Sequence, residues 1–310
     1  MMAASDAMKQ KYGRVGVLYG GTSAERDISL LSGQAVIKAL HRCGVEVVPI
    51  DVGADLLQQL PAHRLDRALI MLHGPGGEDG SLQGALQFLG LPYTGSGVFA
   101  SALAMDKLHS KQFWAGVGLP TPKFAVLNEE TDWQATLDAL GGVVMVKPSH
   151  EGSSLGMTRA DSKDALRDAW QAAAKLDSSV IAEQWIVGAE YTVAVLGDEM
   201  LPSIKLETDH IFYDYDAKYL ADDTRYLCPC GLDAEAEAEL RQLASAAFNS
   251  LSCSGWGRVD VMANEAGDFF LLEVNTIPGM TDHSLVPMAA AEAGYSFDGL
   301  VLRILDTSFS

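Results

Sequence analysis

The stretch that most constrains this chain is residues 257–280, GRVDVMANEAGDFFLLEVNTIPGM. It reads as two strands joined by a tight connection at 264–267, where Asn and Gly supply the turn conformations. In the first strand Arg258 and Asp260 face one way and Val259 and Val261 the other. In the second, Leu271, Glu273 and Asn275 share a face opposite Phe270, Leu272 and Val274. A connection with an even number of residues pairs even-numbered positions with odd-numbered ones. That parity gathers Arg258, Asp260, Glu273 and Asn275 on one surface, backed by an apolar face. Two carboxylates, an amide oxygen and a guanidinium suit Mg²⁺ holding a phosphate chain. The wet face of an ordinary amphipathic hairpin carries the same pattern, so the rest of the chain has to decide.

A chain of 310 residues suits two or three packed units. A net charge of −19 argues against a general nucleic-acid or anionic-membrane binder, because both need basic surface. It leaves room for anionic substrates, since a few clustered Lys and Arg can dominate a site. The start, MMAASDAMKQKYGR, has no apolar signal-peptide core, and no apolar run approaches a membrane span. The four cysteines, Cys43, Cys228, Cys230 and Cys253, form no CxxC pair. Cys228-Pro-Cys230 has the wrong spacing for common zinc sites and reads as two reduced thiols. These features predict a cytoplasmic protein.

Along the chain, strands are expected at 14–19, 45–50 and 68–72, with a helix over 24–43 and helical patterns between and after the others. Alternating strand and helix implies a parallel, helix-covered sheet. The first loop is not GxGxxG, which gives a nicotinamide cofactor little support. Glu25 and His73 lie where ligands collect in such sheets, at the carboxyl ends of strands. Position alone favours reading Glu25 as a charge at the positive end of a helix. The run 74–80 is glycine-rich and either lets backbone approach a ligand or simply turns.

A second region opens with Met105-Asp106-Lys107 on a helix and has strands at 124–127 and 143–146, the latter delivering Lys147-Pro148 at its end. The following SHEGSSLG (149–156) is a hydroxyl-rich loop suited to phosphates, but not a Walker loop. A helix at 163–175, a strand at 180–184, a turn at Gly188 and a strand at 191–196 complete what looks like a lid. Residues 207–231 hold Phe212, Tyr213, Tyr215, Tyr219 and Tyr226 and read as an ordered loop over the site. A helix at 234–252 precedes the hairpin, Ser284 is a candidate helix cap, and a last helix covers 298–305.

Read together, these motifs resemble the ATP-grasp superfamily and, within it, the D-alanine–D-alanine ligase family. The carriers are GGTSAER (20–26), LHGPGGEDG (72–80), YTGSG (93–97), MDK (105–107), KPSHEGSSLGM (147–157), YDYDAKY (213–219), GRVDVM (257–262) and LLEVNTIPGMTDHSLVPMAA (271–290). They span nearly the whole chain in the family's order. The resemblance implies an α/β fold with an N-terminal parallel α/β (pre-ATP-grasp) domain at 1–104, a central ATP-grasp lid sub-domain at 105–187 and a C-terminal ATP-grasp sub-domain at 188–310. It also implies the reaction. ATP phosphorylates the carboxylate of one D-alanine, the amine of a second attacks the acyl phosphate, and phosphate leaves, giving a dipeptide for peptidoglycan precursors.

The resemblance assigns residues as well. Asp260, Glu273 and Asn275 would be the ligands of two Mg²⁺ ions, with Mn²⁺ as a possible substitute. Lys107 and Lys147 would contact phosphates, Glu183, Gln184, Trp185 and Ile186 would hold adenine, and Glu190 would take the ribose hydroxyls. Arg258 and the backbone N–H of Gly279 would stabilise the acyl phosphate and the oxyanion. Glu25, with His73 nearby, would bind the ammonium of the first D-alanine, and Ser284 and Lys218 the carboxylate of the second. Ser153 and Tyr219 would close lid and loop by hydrogen bonds reaching Glu25, protecting the acyl phosphate from water. A homodimer is the family's usual assembly.

Three positions depart from the family pattern: His150 stands for Arg, Gln184 for Lys, and Ile277 for a small polar residue. The first two point to weaker ATP affinity. Tyr219 favours an amine nucleophile over D-lactate, whose ligases carry His there. The rivals are another ATP-grasp carboxylate–amine ligase and a regulatory module that has lost its chemistry. Retention of Asp260, Glu273, Asn275 and Arg258 opposes the second, while Glu25, Tyr219 and Ser284 oppose the first.

Overall fold

The computed structural model describes residues 2–208 and 224–309. Helix α1 (Met2–Tyr12) leads into β1 (Arg14–Gly20), α2 (Arg26–Arg42), β2 (Glu46–Val52), α3 (Leu56–His63) and β3 (Arg67–Ile70). These strands form the expected parallel sheet in the order β2-β1-β3. β1 is an unbroken apolar run because both its faces are covered, with Val15, Val17 and Leu18 fully buried. The sheet gains an isolated parallel bridge at Ala68↔Tyr93, which lies beyond α4 (Ser81–Phe88) and before α5 (Val98–Met105).

The middle of the chain holds α6 (Lys107–Gly116), β4 (Phe124–Leu127), α7 (Trp133–Ala139), β5 (Val144–Pro148), β6 (Thr158–Ala160), α8 (Lys163–Ala173) and β7 (Val180–Gln184). The strands make an antiparallel sheet, β4-β7-β5-β6. Helix α8 starts at Ser162, whose hydroxyl accepts from Ala165 N, and it buries Leu166, Ala169 and Ala173 on that sheet. Lys147 lies within β5, not beyond its end, so the strand itself fixes the direction of that lysine.

The last part contains β8 (Gly188–Leu196), β9 (Glu199–Met200), β10 (Ile204–Glu207), β11 (Arg225–Leu227), α9 (Ala234–Ser250), β12 (Trp256–Asn264), β13 (Phe269–Asn275), α10 (Leu285–Glu292) and α11 (Phe297–Asp306). Its sheet runs β11-β10-β8-β12-β13. Gly188, expected as a turn, is the first residue of β8 and pairs with Asn264. A Cβ there would fall 1.8 Å from the Ala263 carbonyl oxygen, so the close strand pairing itself requires glycine. Helices α10 and α11 return to pack on the N-terminal core, and Arg42 of α2 pairs with Asp298 of α11 at 2.5 Å.

The hairpin departs from the expected register. Residues 264–268 separate its first pair, Ala263↔Phe269, and this odd count pairs like with like: Met262↔Phe270 and Val261↔Leu271. A β-bulge then leaves Leu272 over, and the pairing resumes as Asp260↔Glu273 and Arg258↔Asn275. The expected surface therefore forms through the bulge and not through the connection. Leu271, expected beside Glu273, instead packs in the core with Val259 and Val261, while Leu272 joins Glu273 in lining a cavity.

Among the described residues no helix is long and apolar enough to cross a membrane. All four cysteines are free thiols. Burial pushes Cys228 up to about 11 and Cys253 up to about 12, which keeps both protonated at neutral pH.

Candidate active site

A cavity of about 520 Å³ lies between the two antiparallel sheets. One wall is the segment Glu183, Gln184, Trp185 and Ile186 running into Glu190, with Lys147 from β5 and Lys107 from the start of α6. The other wall is the bulged hairpin, contributing Asp260, Met262, Leu272 and Glu273. The volume suits a nucleotide-sized ligand. Lysines on one side face carboxylates on the other, and Lys107 Nζ lies 3.2 Å from Glu273 Oε2.

Each charged group is held by the element that carries it. Asp106 caps α6 by accepting from His109 N at 3.0 Å, which fixes Lys107 in the first turn. Burial would raise the Asp106 carboxyl, but the His109 amide and ring outweigh it and hold it below its usual range. Lys107 Nζ also donates to the Glu151 carbonyl at 2.7 Å, tying α6 to the serine-rich loop. His150, in the family's arginine position, places its ring nitrogens 2.9 Å from Asp177 Oδ2 and 3.1 Å from Asp106 Oδ2. The ring thus links the serine-rich loop to Asp106 at the start of α6 and to Asp177 after α8.

On β12, Arg258 grips its neighbour: Nε donates to Asp260 Oδ1 at 2.8 Å and Nη2 to Oδ2 at 2.7 Å. Thr192 Oγ1 adds a 2.7 Å bond to Asp260 Oδ1. Asn275 Oδ1 accepts from Ile277 N at 3.1 Å. Among the described residues no group of three or more His, Cys, Asp and Glu side chains is placed to hold a metal ion. Asp260, Glu273 and Asn275 supply two carboxylates and one amide oxygen. That hard but incomplete donor set suits Mg²⁺ only when phosphate oxygens finish the coordination.

The second half of the site lies where the N-terminal sheet meets the serine-rich loop. Glu25 occupies the N-cap position of α2, yet its side chain makes no capping bond. Ser153 Oγ donates to Glu25 Oε1 instead, which joins the loop to the N-terminal region. Gly74 and Gly152 allow this approach, because a Cβ on either would fall 2.7 or 2.6 Å from Glu25 Oε2. Gly74 also has φ +72°, a conformation glycine adopts freely. His73 is buried, with Nδ1 2.8 Å from the Ile277 carbonyl and Nε2 3.3 Å from Ser32 Oγ. Burial holds its imidazole below the ordinary value, with Glu25 opposing, so the ring is neutral at pH 7.

Gly279 and Ser284 lie in the turn after β13. Ser284 sits at the N-cap of α10 but does not cap it, because its Oγ accepts from Thr281 N at 2.9 Å. A Cβ on Gly279 would fall 2.9 Å from Ser284 Oγ, so the two residues pack directly together. Lys218 and Tyr219 lie outside the described residues.

Three contacts were not singled out from sequence. Ser32 Oγ accepts from Met280 N at 3.1 Å and so joins α2 to the turn after β13. Glu78 accepts from Gly74 N at 2.6 Å, and burial, with Glu25 adding to it, pushes this carboxyl up to about 8. Lys111 lies one helical turn after Lys107, and its side chain is fully buried against Glu183 at 2.8 Å. The spacing of Lys107 and Lys111 was a signal for the third. Nothing in the glycine-rich run distinguishes Glu78 from a surface acid.

The chain matches the family profile described as D-ala D-ala ligase C-terminus over residues 113–306 and that described as D-ala D-ala ligase N-terminus over 14–59 and 57–96. It is 60% identical over 297 residues to a D-alanine–D-alanine ligase of Ectopseudomonas mendocina, covering 96% of this chain and 95% of the relative. It is 58% identical over 309 residues to one of Stutzerimonas stutzeri, covering 99% and 98%. Among solved structures, a D-alanine–D-alanine ligase of Bacillus anthracis superposes with TM-score 0.85 at 36% identity, over 96% of this chain and 97% of that one. The enzyme of that organism complexed with ATP gives 0.84 at 34% identity, with the same coverage.

Proposed function

The chain belongs to the D-alanine–D-alanine ligase family, and from that premise we propose how its residues divide the work of the reaction. The protein is an ATP-grasp ligase that joins two D-alanines at the expense of ATP. Peptidoglycan precursor synthesis in the cytoplasm is the role this product fits. The division into 1–104, 105–187 and 188–310 is proposed with it, as is a homodimeric assembly.

In this reading the cavity takes ATP. Adenine lies along 183–186, Glu190 receives the ribose, and the phosphates meet Lys107 and Lys147. The observation that carries the reading is the facing of those lysines against the Asp260–Glu273 hairpin across one cavity. Asp260, Glu273 and Asn275 would hold two Mg²⁺ ions, or Mn²⁺ in their place. When bound, these ions neutralise phosphate charge, which phosphoryl transfer needs.

The first D-alanine places its ammonium on Glu25, beside neutral His73, and its carboxylate receives the γ-phosphoryl group. A carboxylate is a poor electrophile until one oxygen becomes a good leaving group, and the acyl phosphate provides that. Ser284 and Lys218 orient the second D-alanine, whose amine attacks. Arg258 and the Gly279 N–H steady the negative charge that develops as phosphate leaves. The Ser153–Glu25 bond, completed by Tyr219, keeps the loop shut so that water does not consume the intermediate.

Two substitutions test this assignment. Glu273→Gln should lower turnover by about 100-fold or more with the thermal unfolding midpoint unchanged. Glu25→Gln should raise the KM for D-alanine and leave that for ATP in place. Near-normal turnover in the first would remove Glu273 from the phosphate site, and an equal rise in both KM values in the second would remove Glu25 from the ammonium site.

A further inference from the structure

Lys111 stands behind the cavity wall with no exposed side-chain surface. Its ammonium bonds Thr121 Oγ1 at 2.9 Å and the Leu271 carbonyl at 3.4 Å, and it lies 2.8 Å from Glu183 Oε2. Thr121 Oγ1 donates to the same carbonyl at 2.9 Å, and Leu271 N donates to the Pro120 carbonyl at 2.9 Å. The other oxygen of Glu183 is 3.1 Å from Lys147 Nζ. One ammonium thus touches β7, which carries Glu183, and β13, which carries Leu271 two residues before Glu273.

Burying charged groups costs several kcal/mol for each ion unless partners compensate. Glu183 is a buried carboxylate placed between two ammoniums. Burial pushes its carboxyl up, yet Lys111 and then Lys147 outweigh this and hold it below the usual range. Burial pulls Lys111 down to about 8, with Glu183 opposing, so the side chain is still charged at pH 7. If Glu183 had only Lys147, the two charges would cancel, and the cavity would face a neutral pair. With Lys111 behind it, the trio carries one net positive charge, and Lys147 and Glu183 are the members that line the cavity.

We propose that Lys111 is a positioning residue for the nucleotide: by offsetting the charge of Glu183 from behind it leaves the charge of Lys147 for phosphate, and by holding the Leu271 carbonyl it keeps the hairpin in register with the adenine strand. The inference rests on the reading of the cavity as the ATP site. It assigns to Lys111 no contact with ATP, D-alanine or the reacting atoms.

The test is steady-state kinetics of the full-length protein with Mg·ATP varied at saturating D-alanine, and then the reverse. Lys111→Met removes the ammonium but keeps a long side chain. It should raise the KM for ATP by about tenfold, with the D-alanine KM within about twofold and kcat within about threefold. Equal effects on both substrates, or a lowered unfolding midpoint with unchanged KM values, would overturn the proposal. Should Lys111→Met not fold, Thr121→Val removes one anchor without removing a charge, and it must raise the ATP KM alone. Lys147→Ala separates the two ideas. If it leaves the ATP KM unchanged, the reading of the cavity fails; if it weakens ATP while Lys111→Met does not, only the role of Lys111 fails.

Discussion

Glu78 shows how burial, with a neighbouring carboxylate adding to it, can set the charge of a single residue. Its carboxyl is pushed up to about 8, whereas an ordinary glutamate titrates near 4.5. Between those values the folded protein holds a proton that the unfolded chain has released, so this group's contribution to stability is lost as pH rises through about 8. Glu78→Gln keeps an oxygen for the Gly74 amide and has no proton to lose. The urea unfolding midpoint of the wild-type protein should fall between about pH 6 and about pH 9 more steeply than that of the variant. Parallel declines would show that Glu78 is not the group responsible. His73, neutral and bonded to the Ile277 carbonyl, belongs to the same buried cluster.

At the scale of elements, α6 and the bulged hairpin define the site. Asp106 caps α6, and its other oxygen meets His150 on the serine-rich loop. Asp106→Ala should therefore lower the unfolding free energy by about 1–2 kcal/mol, measured by urea denaturation. Unchanged stability would show that the cap contributes nothing. The apolar alternation of β12 was legible because side chains obey a two-residue period, and Val259 and Val261 face the core as expected. The bulge was not legible. It depends on where backbone groups of β13 find partners, and Leu271 finds them at Pro120, Thr121 and Lys111, far away in sequence. Lys147 and Gly188 were misplaced for a related reason: a strand ends where its pairing ends, and Lys147↔Ile181 and Gly188↔Asn264 are pairings with distant partners.

For the molecule as a whole, the parallel N-terminal sheet followed from the alternation of strand and helix, and the family from motifs that share one order. The packing of α10 and α11 onto the N-terminal core could not be read from local pattern, because a helix's apolar stripe does not name its partner. That packing brings the turn holding Gly279 and Ser284 against α2, where Ser32 accepts from Met280 N. The two substrate ends of the proposed site thus share one rigid support. The most direct measurement is phosphate release by the purified protein with Mg·ATP, offered D-alanine, L-alanine, or D-alanine with D-lactate in parallel, with products identified by mass. The account predicts phosphate and D-alanyl-D-alanine wherever D-alanine is present and neither with L-alanine. Depsipeptide as the main product, or phosphate release with L-alanine, would contradict the assignment of Glu25, Tyr219 and Ser284.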